Sequence, residues 1–101
     1  MSFDPSSSQA RYLPTTTAKI AFTSVASTWG EINSAEFPRY FTFVATQDCY
    51  LSVGGSNIAA PDDSYFMLPA GIHDFMVRPH EGIRVLRVST DGVLKISLSG
   101  V

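Results

Sequence analysis

The sequence is short of charge. Asp, Glu, Lys and Arg make up 16% of its 101 residues, against about a quarter in an average soluble domain. The seven Lys and Arg residues are scattered singly and the formal net charge is −2, so no basic stripe is available for a phosphate backbone. We therefore expect no nucleic-acid partner, and we expect part of the outer surface to be covered by other protein.

Cysteine and long apolar runs are also scarce. The single cysteine, Cys49, cannot form an intrachain disulfide. With only two histidines it makes a poor zinc site, and we predict a packed thiol. No apolar run approaches the ~20 residues that span a bilayer, and residues 1–8 lack the basic start and apolar stretch of a secretion signal. The sequence predicts synthesis in the cytoplasm and no membrane partner.

No segment shows a helical period of apolar residues. Instead, apolar and polar residues alternate, as where Phe41 and Phe43 alternate with Tyr40 and Thr42, which is typical of half-buried strands. Such runs recur about seven times between short turns. The sequence predicts an all-β domain over residues 18–101, an antiparallel β-sandwich of about seven strands, with an up-and-down barrel as the competing geometry.

The turns predict how these strands pair. Pro69 presets φ and Gly71 supplies a positive φ, so the chain should reverse within residues 65–77. Asp91-Gly92 is a preferred two-residue turn, and residues 46–48 form an equally short link. We expect three hairpins of consecutive strands: 39–45 with 49–53, the two halves of 65–77, and 82–89 with 93–99.

The alternation also predicts the core. The residues expected to face inwards are Ile20, Phe22, Phe41, Phe43, Leu51, Val53, Leu94, Ile96 and Leu98. The run 83–88 is apolar on both faces, so we expect a partner to cover its second side.

Residues 1–17 are different, because they are rich in Ser, Thr and Pro and have no apolar period. They predict an extended N-terminal arm. The arm is either a loose terminus or a segment that becomes ordered on a neighbouring subunit. In the second case its anchors are Phe3, Arg11, Tyr12 and Leu13. Trp29, in the loop 27–38, either caps one end of the core or contacts a partner.

No constellation of residues predicts catalysis. His73 stands alone on its strand and His80 follows a proline in a turn, whereas a facial metal site needs His-x-His and a carboxylate. Asp62 and Asp63 diverge along a loop, and the sequence has neither a nucleophile elbow nor a phosphate-binding glycine loop. We expect no metal, no cofactor and no catalytic residue, and therefore not an enzyme.

Three stretches are more distinctive than the general strand pattern, namely residues 48–60, 66–71 and 83–96. Together they resemble small structural proteins of tailed bacteriophages, over roughly residues 39–98. The resemblance implies a virion protein, most simply a capsid decoration or cement protein and otherwise a head–tail or tail accessory protein. Its partners would be the major capsid protein or other virion proteins, with copies held in a homo-oligomer or on the lattice.

A second class of function stays open at this point. A soluble β-sandwich that binds carbohydrate would need a concave site with aromatic and polar groups. Tyr40, Tyr50 and Tyr65 are the aromatic residues available for such a site.

Overall fold

The computed structural model describes residues 16–99, which form eight strands and no helix. The strands are β1 Thr16–Phe22, β2 Gly30–Glu31, β3 Arg39–Ala45, β4 Cys49–Gly54, β5 Phe66–Leu68, β6 Gly71–Val77, β7 Gly82–Arg87 and β8 Gly92–Leu98. No helix in this part of the chain is long and apolar enough to cross a membrane. β1 begins within the segment predicted as the arm, and β2 was not predicted because it has only two residues.

The strands form two four-stranded sheets, and every strand pair is antiparallel. Sheet one has the order β1-β8-β3-β6 and sheet two the order β2-β7-β4-β5. β1 thus pairs with β8, β2 with β7, β3 with β6 and β4 with β5, as in one long antiparallel ribbon rolled into two sheets. This is the arrangement of an eight-stranded jelly roll. The predicted all-β sandwich is confirmed.

The three predicted hairpins are wrong as strand pairs. β3 lies in sheet one and β4 in sheet two, and the strands joined by the other two turns are likewise divided between the sheets. Gly71 does have a positive φ, 132°, so its turn reverses the chain as expected. The reversal carries the chain across the sandwich, because pairing is set by which strands bury their apolar faces together and not by the turn.

The core lies between the two sheets. Its buried apolar residues are Phe22, Ile32, Phe41, Phe43, Ala45, Cys49, Leu51, Leu68, Val77, Ile83, Val85, Leu94 and Ile96. Ile20 packs against this cluster while partly exposed. Burial, helped by the charge of Asp48, raises the pKa of the Cys49 thiol to about 11, so the prediction of a packed thiol is confirmed.

Two core predictions are wrong. Val53 is 45% exposed and Leu98 is 37% exposed. Leu98 is the last residue of its strand. Val53 lies past the end of β5, which pairs only with residues 49–51 of β4, so neither a neighbouring strand nor the opposite sheet covers it fully.

Candidate interaction surface

One flank of the sandwich, formed by the loop 27–38, β2 and the turn 78–81, is closed by hydrogen bonds. We call it the polar flank. At its centre the fully buried side chain of Asn33 donates from Nδ2 to the carbonyls of Phe37, at 2.9 Å, and Val77, at 2.8 Å. Its Oδ1 accepts from Ala35 N and Arg39 Nε. The amide uses both its donors and its acceptor internally, so it fastens the loop and leaves nothing to bind a ligand.

On the same flank, the exposed ring of His80 bridges two carboxylates, and we call these three side chains the clasp. Its backbone has φ 61°, and its ring nitrogens lie 3.0 Å from Glu31 Oε2 and 2.8 Å from Glu36 Oε2. Hydrogen bonds to these two carboxylates raise the pKa of His80. The sequence correctly placed His80 in a turn but gave no sign of the clasp, because its partners are distant along the chain. Within residues 16–99 no group of three or more His, Cys, Asp or Glu side chains is arranged to hold a metal ion.

Trp29 sits where the polar flank meets sheet two. Its half-buried ring donates from Nε1 to the carbonyl of Gly54, at 3.0 Å, at the end of β4. Nearby, Arg84 Nε donates to the carbonyl of Ser27, at 3.0 Å. These bonds hold the loop against sheet two. A contact between Trp29 and a partner stays a prediction.

A second side of the sandwich, which meets the polar flank at Val77, has no further strand within residues 16–99. There β6 is the edge of sheet one and β5 is the edge of sheet two, and an apolar groove of about 330 Å³ lies between them. Its lining residues are Phe43, Leu51, Val53, Phe66, Phe75, Met76 and Val77. None of them carries a charged or hydrogen-bonding side chain. The groove can therefore recognise another apolar group but offers no polar chemistry for a small polar ligand.

An aromatic stack shapes this groove. Phe75 meets Phe43 edge to face, with ring centroids 5.4 Å apart, and meets Phe66 in the same way at 6.0 Å. His73 stacks on the Phe75 ring and is fixed by a 2.8 Å contact between its Nε2 and the carbonyl of Pro69. Phe43 is fully buried and forms the floor, whereas Phe66 is 55% exposed and forms the rim. The groove is thus preformed, with an aromatic ring left in water.

The apolar surface continues onto the outer face of sheet one. Ile72, which is 73% exposed, lies opposite Val44, and the exposed Met76 lies opposite the exposed Tyr40. Between these pairs the hydroxyl of Thr42 donates to the Asp74 carboxylate at 2.7 Å. We call the groove and this strip together the apolar edge; its exposed or half-buried side chains are Tyr40, Val44, Val53, Phe66, Ile72, Phe75 and Met76. Exposed apolar patches of this kind mark surfaces that bind other macromolecules.

The three tyrosines considered for a carbohydrate site are not brought together. Tyr40 lies on the outer face of sheet one, whereas Tyr50 lies on the outer face of sheet two, opposite Met67. Tyr65 precedes β5 in sheet two. The outer faces of the two sheets point in opposite directions, so Tyr40 cannot share one concave site with the other two.

The predicted arm anchors Phe3, Arg11, Tyr12 and Leu13 lie outside residues 16–99, and their role stays a prediction. Comparison of the chain with protein-family models, with curated proteins and with solved structures found no match. Within residues 16–99 the apolar edge is the structural feature that points to a contact with another molecule. Its groove requires β5 and β6 to lie in different sheets, which the predicted hairpin of residues 65–77 excluded.

Proposed function

We propose that this protein is a non-enzymatic structural protein of a tailed-phage virion, most simply a decoration or cement protein on the capsid lattice. Its apolar edge is the surface that contacts the major capsid protein or another virion protein. The virion assignment is supported by the sequence resemblance over residues 39–98, and the contact surface by the exposed groove between β5 and β6.

The apolar edge is the observation that carries the proposal. Fully burying a side chain such as Ile72 or Phe66 contributes about 1.5–3 kcal/mol, and both are more than half exposed in the single chain. A few such residues give weak binding to one partner after the cost of association. On a lattice, contacts with neighbouring copies hold each copy close to its site. A contact that is weak for a single copy can then give stable occupancy.

The fold alone does not choose among functions, since jelly rolls occur in viral capsid and lectin domains alike. The surface chemistry favours a protein partner. A sugar site needs polar groups that converge on a hollow, whereas the groove between β5 and β6 is lined by apolar residues.

The test is co-sedimentation of the purified full chain with empty heads of the phage that encodes it. The informative variant is Ile72→Ser, and Val25→Ser is its matched control. Both residues are β-branched and almost equally exposed, at 73% and 74%, but Val25 lies in the loop after β1, away from the apolar edge.

We expect the wild-type chain and Val25→Ser to pellet with heads, and Ile72→Ser to need about tenfold more protein for equal occupancy. A wild-type chain that stays in the supernatant contradicts the virion assignment. Equal occupancy by the two variants contradicts the assignment of the contact to the apolar edge.

A further inference from the structure

We infer that β6 of one copy accepts residues 9–14 of a second copy as an added antiparallel strand, with Arg11 opposite Asp74. The inference rests on the proposed function in one respect, that the apolar edge is a contact surface. It adds the occupant of that edge, its register and the requirement for a second copy.

The first support is the condition of β6 as an edge strand. Within residues 16–99, β6 has β3 as its single neighbour, and it offers its other side over seven residues. Long edge strands accept further strands more readily than short ones. β2 and β5 have only two and three residues, whereas β1, the other seven-residue edge, carries the exposed Lys19, whose charge has the same sign as that of Arg11.

The second support is the match of side chains. On β6, Ile72 and Asp74 point outwards, while the half-buried His73 between them lies on the inner face beside the groove. An antiparallel strand with Arg11 opposite Asp74 places Tyr12 opposite His73 and Leu13 opposite Ile72. The charged pair and the aliphatic pair then lie outside, and the tyrosine ring lies over the aromatic groove. Pro14 follows at the strand end, where a missing N–H is tolerated.

The third support is charge. Asp74 is the single Asp, Glu, Lys or Arg of β6, and Arg11 is the first Lys or Arg of the sequence, followed only at position 19 by Lys19. One Asp74 oxygen accepts the hydrogen bond from Thr42, which fixes the carboxylate on the outer face. Asp74 is exposed, and no salt bridge formed among residues 18–99 includes it.

The reach of the chain shows that the strand must come from a second copy. Thr16, Ser97, Thr42 and Asp74 form one row across sheet one. With neighbouring strands about 4.8 Å apart, a strand added outside β6 lies about 19 Å from Thr16 of the same chain. Leu13 is three residues from Thr16 and reaches at most about 11 Å. A chain therefore cannot place its own Leu13 on its own β6.

The test is disulfide trapping between two single variants of the full chain, Arg11→Cys and Asp74→Cys. Directly opposite residues have Cβ atoms about 4.5–5.5 Å apart, close enough for a disulfide after a small adjustment. The native Cys49 is buried and does not compete. One variant is isotopically labelled, so that mass distinguishes the mixed dimer from the two like dimers. The control partner is Lys95→Cys, an exposed outer-face position on β8 in the middle of the sheet.

We expect the mixed Arg11→Cys and Asp74→Cys dimer to form in about tenfold excess over the dimer of Arg11→Cys with Lys95→Cys. Equal yields would overturn the inference. A cross-linked monomer from a chain carrying both cysteines would also overturn it, because the strand would then belong to the same copy.

Charge exchange gives a second readout that does not depend on cysteine. Arg11→Asp or Asp74→Arg alone should weaken self-association about two- to fivefold, and the two together should restore it. Absence of the cross-link and of this rescue, while Ile72→Ser still lowers occupancy on heads, would overturn strand addition and leave the proposed contact surface intact. A cross-link in a chain that does not bind heads supports strand addition and contradicts the virion assignment.

Discussion

The polar flank and the apolar edge, which meet at Val77, are built in opposite ways. On the polar flank, the amide of Asn33 and the ring of His80 find their partners within the chain. On the apolar edge, Phe66 and Ile72 stay in water although an apolar groove lies beside them. The comparison shows that the polar flank pairs its polar side chains within the single chain, whereas the apolar edge leaves large apolar side chains in contact with water.

The largest expected effect concerns the groove floor. Phe43→Ala removes a fully buried ring and its edge-to-face contact with Phe75, and should lower the free energy of unfolding by about 3–5 kcal/mol. Phe66→Ala, at the rim, should lower it by about 1 kcal/mol or less, because its ring is already half in water. Urea unfolding measures the free energy of both variants. Equal losses would contradict the assignment of Phe43 to the buried floor and of Phe66 to the exposed rim of the groove.

An intermediate effect is expected on the polar flank. Asn33→Ala leaves the carbonyls of Phe37 and Val77 without their donor in a buried site, and should lower the free energy of unfolding by about 2–3 kcal/mol. Asn57→Ala is the control, since Asn57 is exposed in a surface loop and should change stability by less than about 0.5 kcal/mol. If Asn33→Ala matches this control in thermal or urea unfolding, the flank is not held by the amide.

The smallest effect is the pH dependence of the clasp. The folded pKa of His80 is raised by Glu31 and Glu36, so its stabilising contribution is complete below the unfolded pKa of 6.5 and is lost as the pH rises through the folded value. His80→Asn keeps the left-handed backbone accessible and removes the charge. The urea midpoint of the wild type should exceed that of His80→Asn at about pH 5.5, with the excess shrinking by about pH 9. A difference in urea midpoint that grows as the pH rises would contradict a raised pKa of His80 in the folded state.

Features that depend on residues close together in the sequence could be predicted, whereas features that depend on residues far apart could not. Alternation is local, so Phe41, Phe43, Leu94 and Ile96 were assigned correctly to the core. Pairing is not local. The turn at Gly71 has the predicted backbone, yet it joins strands of different sheets, and the groove exists only because of that division.

The error at Val53 and the absence of any prediction for the hydrogen bonds of the polar flank have the same origin. Val53 keeps the alternation of its strand but is uncovered because β5 is short, a fact about a neighbour and not about β4. Nothing in the sequence of the loop 27–38 marks Asn33 for burial, because its hydrogen-bond partner Val77 is remote in sequence. A single sequence predicts the alternation within each strand. The length of a neighbouring strand and the polar partners that are distant in sequence become known only from the folded structure.

Whether the apolar edge is the contact surface can be measured by hydrogen exchange of the full chain, free and bound to heads, in the two edge strands of sheet one, β1 and β6. Both strands have seven residues, and within residues 16–99 each pairs with a single neighbour. We expect the amides of Gly71–Val77 to exchange more slowly in the bound chain, and those of Thr16–Phe22 to be unchanged. Slower exchange along Thr16–Phe22, with no change along Gly71–Val77, would contradict this expectation.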